Sequence, residues 1–131
     1  MNVNIWSFAE KSIDPSKLMN LYQIAGWWEE REEKDIKEML NQGASVGAWN
    51  GDQLIGFARA ISDGKFRAYV EDVVVHREFQ SVGIGANLVA NLLHELSDID
   101  VISLFCDEDL IPFYEKNNFK HSKSQFVMHR K

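Results

Sequence analysis

The sequence predicts a mixed α/β fold, a single sheet with helices on both faces, and three observations predict it. Apolar residues recur at helical spacing in some segments and in short extended runs in others, and the two kinds of segment alternate along the chain. The turn signals Asn50-Gly51 and Asp63-Gly64 punctuate a stretch in which extended runs follow one another directly. The 131 residues, 45% of them hydrophobic, contain no repeat, low-complexity tract or Pro/Gly/Ser linker, which fits one domain spanning residues 1–131 around one core.

Val3-Asn4-Ile5-Trp6 reads as the first strand. Asp14-Pro15 opens a helix, with Asp as the cap and Pro at the first helical position. Leu18, Leu21, Tyr22 and Ala25 give that helix one apolar face, and Gly26 ends it. A more charged helix follows from about Glu32 to Gln42, with Ile36, Met39 and Leu40 inward and Gly43 as its stop. The acidic run Glu29-Glu30-Arg31-Glu32-Glu33 suits a solvated first helical turn, where carboxylates meet the positive end of the helix dipole; its other use is to attract a cation.

Ser45 to Trp49 and Leu54 to Ile61 flank Asn50-Gly51 as a hairpin, and Asp63-Gly64 leads into a third antiparallel strand, Phe66 to Val75. From Gly83 to Leu96, Ile84, Leu88, Leu92 and Leu96 mark the buried stripe of a long amphipathic helix. Val101 to Cys106 is a continuous apolar run, the pattern of a central strand covered on both faces. Leu110 to Asn117 reads as a short helix, and Asn118 to Lys120 and Gln125 to His129 as closing strands, for an order βααβββαβαββ.

Composition removes several classes of function. Cys106 is the single cysteine, so no internal disulfide forms, and no paired Cys/His spacing suggests a metal. Within its apolar run Cys106 is expected to be a buried small hydrophobe, with a nucleophilic role as the alternative. The net charge of −6 and scattered Lys and Arg argue against a nucleic-acid partner. No apolar run reaches the ~20 residues of a membrane span and no signal-peptide pattern opens the chain, so a cytosolic protein is expected.

The segment richest in chemical meaning is Val73-Val74-Val75-His76-Arg77-Glu78-Phe79-Gln80-Ser81-Val82-Gly83-Ile84-Gly85-Ala86-Asn87-Leu88. An apolar strand runs through a short loop into Gln-x-x-Gly-x-Gly at a helix start. Free N–H groups and the positive dipole end there suit an anion, and two glycines let a pyrophosphate approach the amides of residues 82–86. No Gly-Lys-Ser/Thr follows, as a P-loop requires, and Leu88 stands where a dinucleotide fingerprint wants Gly or Ala.

This segment resembles the cofactor motif of the GNAT superfamily of acetyl-CoA-dependent N-acetyltransferases, without a gap. Downstream, Pro112-Phe113-Tyr114-Glu115-Lys116-Asn117-Asn118-Phe119 resembles the family's Phe-Tyr-x-Lys-x-Gly-Phe segment, with Asn118 in place of Gly; Asn is the next most tolerant residue of positive φ.

The resemblance implies a GNAT-like fold with a central, mostly antiparallel sheet, acetyl-CoA as co-substrate, no metal, and direct attack by a primary amine of a small molecule or protein. It implies backbone contacts to the coenzyme from Val73, Val74 and Val75, and a cradle made by Gln80, Ser81, Val82, Gly83, Ile84, Gly85 and Ala86, with Asn117 nearby. It implies Tyr114 as proton donor to the departing thiolate, for which a phenol protonated at pH 7 is suited, although an amphipathic tyrosine also serves a core.

A family carboxylate on the cofactor strand commonly serves as base, which favours Glu71. Alternation along that strand places Glu71 and Asp72 on opposite faces. Acceptor specificity in the family comes from the segment joining the first two helices, here Trp27, Trp28 and Glu29, which suit a cationic amine with an apolar body or, for one tryptophan, ordinary core packing. Family dimers point to Gln125-Phe126-Val127-Met128 as a homodimer edge or as the end of the chain's own sheet. A non-catalytic acyl-CoA-binding or interaction module is the alternative to an enzyme.

Overall fold

The computed structural model describes residues 2–130. Asp14 caps the first helix, α1 (Pro15–Ala25), by accepting the Ser16 N–H at 3.0 Å. Gly26 at φ 75 closes it, with its N–H turned back to the Gln23 carbonyl at 3.0 Å. The second helix, α2 (Glu33–Leu40), takes only the end of the acidic run: Glu32 is its cap, and Glu29 and Glu30 lie in a turn before it. The helical path is interrupted at Trp28, which holds φ 53.

Five strands form one sheet in the order β1 (Val3–Ser7), β2 (Ala44–Asn50), β3 (Gln53–Ser62), β4 (Arg67–Val75), β5 (Val101–Leu104). The first four are antiparallel neighbours and β5 runs parallel to β4. Asn50 pairs with Gln53, so the tight turn is Gly51-Asp52, one residue later than expected, with Gly51 at φ 62. Asp63 fixes the next turn by accepting the N–H groups of Lys65, Phe66 and Arg67 at 2.9, 2.8 and 3.2 Å.

Helices cover both faces, as the sequence predicts. The long helix α3 (Ile84–Glu95) lays Ile84, Leu88 and Leu92 against Val46, Ala48, Ile55, Ala58 and Val70. On the other face α1 and α2 pack Leu18, Leu21, Tyr22, Ile36 and Leu40 against Trp49, Leu54, Phe57 and Val74. Each fully buried aliphatic side chain contributes roughly 1.5–3 kcal/mol. Close approach of α3 depends on Gly56, where an added Cβ would lie 2.8 Å from the Leu88 side chain.

The C-terminal part departs from the expectation. β5 ends at Leu104 and is an edge strand, with Val101 exposed and Ile102 and Leu104 only half-buried. Its apolar run reflects packing of Ile102 and Leu104 on the α3 side, not cover on both faces. Cys106 lies past the strand end and is exposed, not buried. The short helix α4 (Ile111–Glu115) forms after a 3₁₀ turn at Glu108–Leu110. The closing strands at 118–120 and 125–129 are not present: Asn118 turns the chain at φ 67, and Phe126 and Met128 stand in solvent without a partner strand.

Candidate active site

Two irregularities of β4 shape the site. Its register against β3 slips between Phe57 and Arg59, because Phe57 faces Val74 whereas Arg59 faces Glu71; the extra residue is a bulge containing Asp72 at φ 52. On its other side β4 is paired to β5 only from Arg67 to Val70. From Glu71 to Val75 that edge has no strand neighbour among the described residues, so the backbone groups that Val73, Val74 and Val75 direct to that side are open to a ligand, apart from the Val75 carbonyl, which accepts the Gln80 side chain.

The bulge also overturns the expected placement of the two carboxylates. Arg59 is the cross-strand partner of Glu71 and so shares its face, and the same Arg59 donates from Nε to Asp72 at 2.8 Å. Glu71 and Asp72 therefore lie on one face, the face of α1. Glu71 is half-buried, whereas Asp72 is buried.

The open edge runs into the loop before α3. Gln80, Ser81, Val82 and Gly83 are all exposed, with Ser81 at φ 67 and Gly83 at φ 85. The first backbone bond of the helix is that of Asn87, to the Gly83 carbonyl at 3.1 Å, so the amides before it point out of the helix end toward solvent. This arrangement fits the pyrophosphate of a coenzyme. Gly83 is needed for its conformation, since a Cβ there meets nothing within 4 Å. Gly85 is needed for a different reason from the one expected: a Cβ there would sit 3.1 Å from the Phe113 ring. Ile84 is buried in the core, the Gln80 side chain donates to the Val75 carbonyl at 3.0 Å, and Asn117 donates to the Ala86 carbonyl at 3.4 Å, tying α4 to α3.

Phe113 carries the next residue, Tyr114, into place. The Tyr114 ring packs edge-on against Phe113 and Phe119, at centroid distances of 4.9 and 6.1 Å. Burial, then the charge of Cys106, pushes its phenol up to about 12, so it holds its proton at neutral pH. Partial burial, then Asp107 and Asp109, push the Cys106 thiol up as well, which is opposite to what an activated nucleophile needs.

Opposite the cradle in the chain, the segment between α1 and α2 divides its two tryptophans. Trp27 stacks on Tyr22 at 6.5 Å and joins the core. Trp28 is 41% exposed, carries the Arg31 guanidinium 4.1 Å from its ring centroid, and donates its indole N–H to Asp72 at 3.2 Å. Glu29 is fully in the surface turn. Arg59 also lines a groove of 390 Å³ between α2 and β3, with Asp35, Glu38 and Met39. A larger groove, 770 Å³, lies away from this chemistry over Trp49, where Lys11 and Lys17 cover the ring and donate to the hairpin carbonyls of Gly51 and Asp52.

Residues 11–119 match the family model described as Acetyltransferase (GNAT) family. The chain belongs to the GNAT family. Among related GNAT sequences, the uncharacterized N-acetyltransferase ycf52 of Pyropia yezoensis is 32% identical over 124 residues, 86% of this chain and 71% of that protein. GCN5-related N-acetyltransferase 2, chloroplastic, of Arabidopsis thaliana is 44% identical over 70 residues, 52% of this chain and 27% of that protein. The fold is that of GNAT structures: SA2161 of Staphylococcus aureus superposes with TM-score 0.84 at 20% identity over 99% of both chains. The GNAT protein SP0256 of Streptococcus pneumoniae gives 0.79 at 21% identity, over 99% of this chain and 100% of its own.

Within this candidate site Asp72 is read from sequence only as a carboxylate beside Glu71, not as the centre of a side-chain cluster. Its signal was present only as a charged residue beside Glu71 in an apolar strand; nothing local marks a bulge. Left-handed backbone marks the site better. Among the described residues, the non-glycine positions with positive φ are Trp28, Asp72, Ser81 and Asn118, and each lies in or next to a segment of the candidate site. No helix of the described residues is long and apolar enough to cross a membrane, and they hold no cluster of metal-ligating side chains.

Proposed function

We propose that the chain transfers the acetyl group of acetyl-CoA directly to a primary amine of a small molecule or protein. The observation that carries this reading is the continuity of the unpaired edge of β4, residues 71–75, with the exposed loop 80–83 and the free amides of α3. One path offers strand-like backbone hydrogen bonds to an amide-rich arm and then a helix end to a pyrophosphate.

When bound, the coenzyme supplies an acetyl thioester. The backbone at Val73, just past the bulge, offers an N–H to the carbonyl oxygen, a contact worth ~3 kcal/mol if it strengthens as charge develops. Glu71, half-buried on the α1 face, takes the proton of the entering ammonium, directly or through water. Tyr114, protonated at neutral pH, gives a proton to the leaving sulfur. Trp28, with Arg31 on its ring, forms the wall against which the acceptor lies, and Trp27 supports it from the core.

The exposed segment Gln125-Phe126-Val127-Met128 is the surface through which a homodimer would form, which sedimentation velocity measures. We place the activity in an aqueous compartment, cytosol or plastid; the Arabidopsis relative is chloroplastic by name.

Calorimetric titration with acetyl-CoA, followed by thiol release against polyamines, arylalkylamines, aminoglycosides and lysine peptides, tests the reading. Saturable binding with release for one amine class supports it. Binding without release reduces the protein to an acyl-CoA-binding module, and the absence of binding removes the cradle.

A further inference from the structure

The donor strand and the acceptor segment meet at one buried carboxylate. Asp72 accepts the Tyr22 hydroxyl at 3.1 Å and Arg59 Nε at 2.8 Å on Oδ2, where Arg31 also approaches to 3.5 Å; Oδ1 accepts the Trp28 indole N–H at 3.2 Å. These donors come from α1, from β3 and from the segment joining α1 to α2. Asp72 itself is 8% exposed and its side chain 2%. A carboxylate offers about four lone-pair positions. This set of donors occupies both oxygens of Asp72, which holds its side chain in a fixed position.

Asp72 and Trp28 both hold left-handed backbone, at φ 52 and φ 53, a region that side chains with a Cβ rarely occupy. Such conformations persist where the surroundings over-determine them. Here the two strained residues are bonded side chain to side chain, so each helps to hold the other. The backbone of Asp72 forms the bulge that directs Val73, and its side chain fixes the Trp28 ring, on which Arg31 is stacked.

Resting on the acetyltransferase reading, we infer that Asp72 is a positioning residue that sets acceptor specificity. It clamps the Trp28–Arg31 wall to the bulge of β4, so that the amine is held in register with Glu71 and the thioester. It touches neither the amine nor the coenzyme. Loss of the clamp releases the acceptor wall and leaves the cradle at Gln80 to Gly85 in place.

The test compares Asp72→Asn and Trp28→Phe with the wild type. Acetyl-CoA affinity is read by calorimetry, apparent KM and kcat by thiol release with phenethylamine and N-α-acetyl-lysinamide, and the indole N–H resonances by ¹H–¹⁵N NMR. The Trp28 resonance is the one missing from Trp28→Phe. Both variants are expected to raise the amine KM by about tenfold with acetyl-CoA affinity within about twofold of wild type. In Asp72→Asn the Trp28 indole resonance moves, because its acceptor has changed. An unmoved resonance overturns the clamp, and so does a loss of acetyl-CoA affinity as large as the loss for the amine. If Asp72→Asn does not fold, Trp28→Phe, which keeps an aromatic ring while deleting the indole N–H donor, carries the kinetic comparison. If the wild type releases no thiol from either amine, the acetyltransferase reading fails on that arm, and the indole resonance alone decides whether Asp72 holds Trp28.

Discussion

On the proposed donor side the groups in play are backbone: the edge of β4 from Glu71 to Val75, the exposed loop at Gln80 to Gly83 and the free amides at the start of α3. On the acceptor side they are side chains, with Trp28, Arg31, Arg59 and Tyr22 gathered on Asp72. A backbone site needs few particular letters, mainly glycine where φ is positive or space is short, so it tolerates change elsewhere and keeps a recognisable spelling. A side-chain site depends on which residues the fold brings together from distant positions. On the proposed reading the donor side would fix the reaction, and the acceptor side would be free to vary the substrate.

The comparison is broken most severely at Tyr114, the proposed proton donor to the leaving sulfur. Tyr114→Phe should lower kcat by about 100-fold with acetyl-CoA affinity unchanged, measured by thiol release and calorimetry; a wild-type rate would remove the assignment. Gly83→Val should act on the donor side alone. At φ 85 a β-branched side chain is strained although nothing blocks it, so acetyl-CoA affinity should fall about tenfold while amine KM holds.

Gly85→Ala sharpens the boundary between the sides, because its Cβ would press on Phe113 at 3.1 Å and shift Tyr114. A fall of about threefold in kcat is expected, larger than any change in coenzyme affinity. Smaller still is the pH effect. The Tyr114 phenol rises from 10.0 in its ordinary state to about 12 in the fold, so the folded state holds a proton that the unfolded chain gives up first. Its contribution to stability is complete below about pH 10 and lost as pH rises toward 12, which alkaline denaturation midpoints measure. Exposed Cys106 should tolerate Ser with activity within about twofold of wild type, and a larger loss would reopen a role for the thiol.

Most of the fold was legible because helices and hairpins announce themselves locally. Asp14-Pro15 and Gly26 bound α1, Gly43 sits just past α2, and the four-residue steps of Leu88 and Leu92 give α3. Misreadings concern partners, which no local pattern states. Val101 to Leu104 has the apolar run of a central strand and sits at an edge, and Gln125 to His129 alternates without finding a strand to pair with. In the candidate site, the glycine loop could be read from spacing, and Tyr114 only from the resemblance of its segment to the family's. The clamp could not, because Tyr22, Trp28, Arg59 and Asp72 are joined only by the tertiary fold, and the one-residue bulge that turns Asp72 toward α1 leaves no spelling in the strand.

Backbone amide shifts in a ¹H–¹⁵N NMR titration with acetyl-CoA test the donor side most directly. The largest shifts are expected at residues 71–75 and 80–86, with the Asp72–Trp28 clamp little moved. Shifts centred on the groove over Trp49, or none at saturating coenzyme, would contradict the assignment of the open β4 edge and the α3 loop as the acetyl-CoA site.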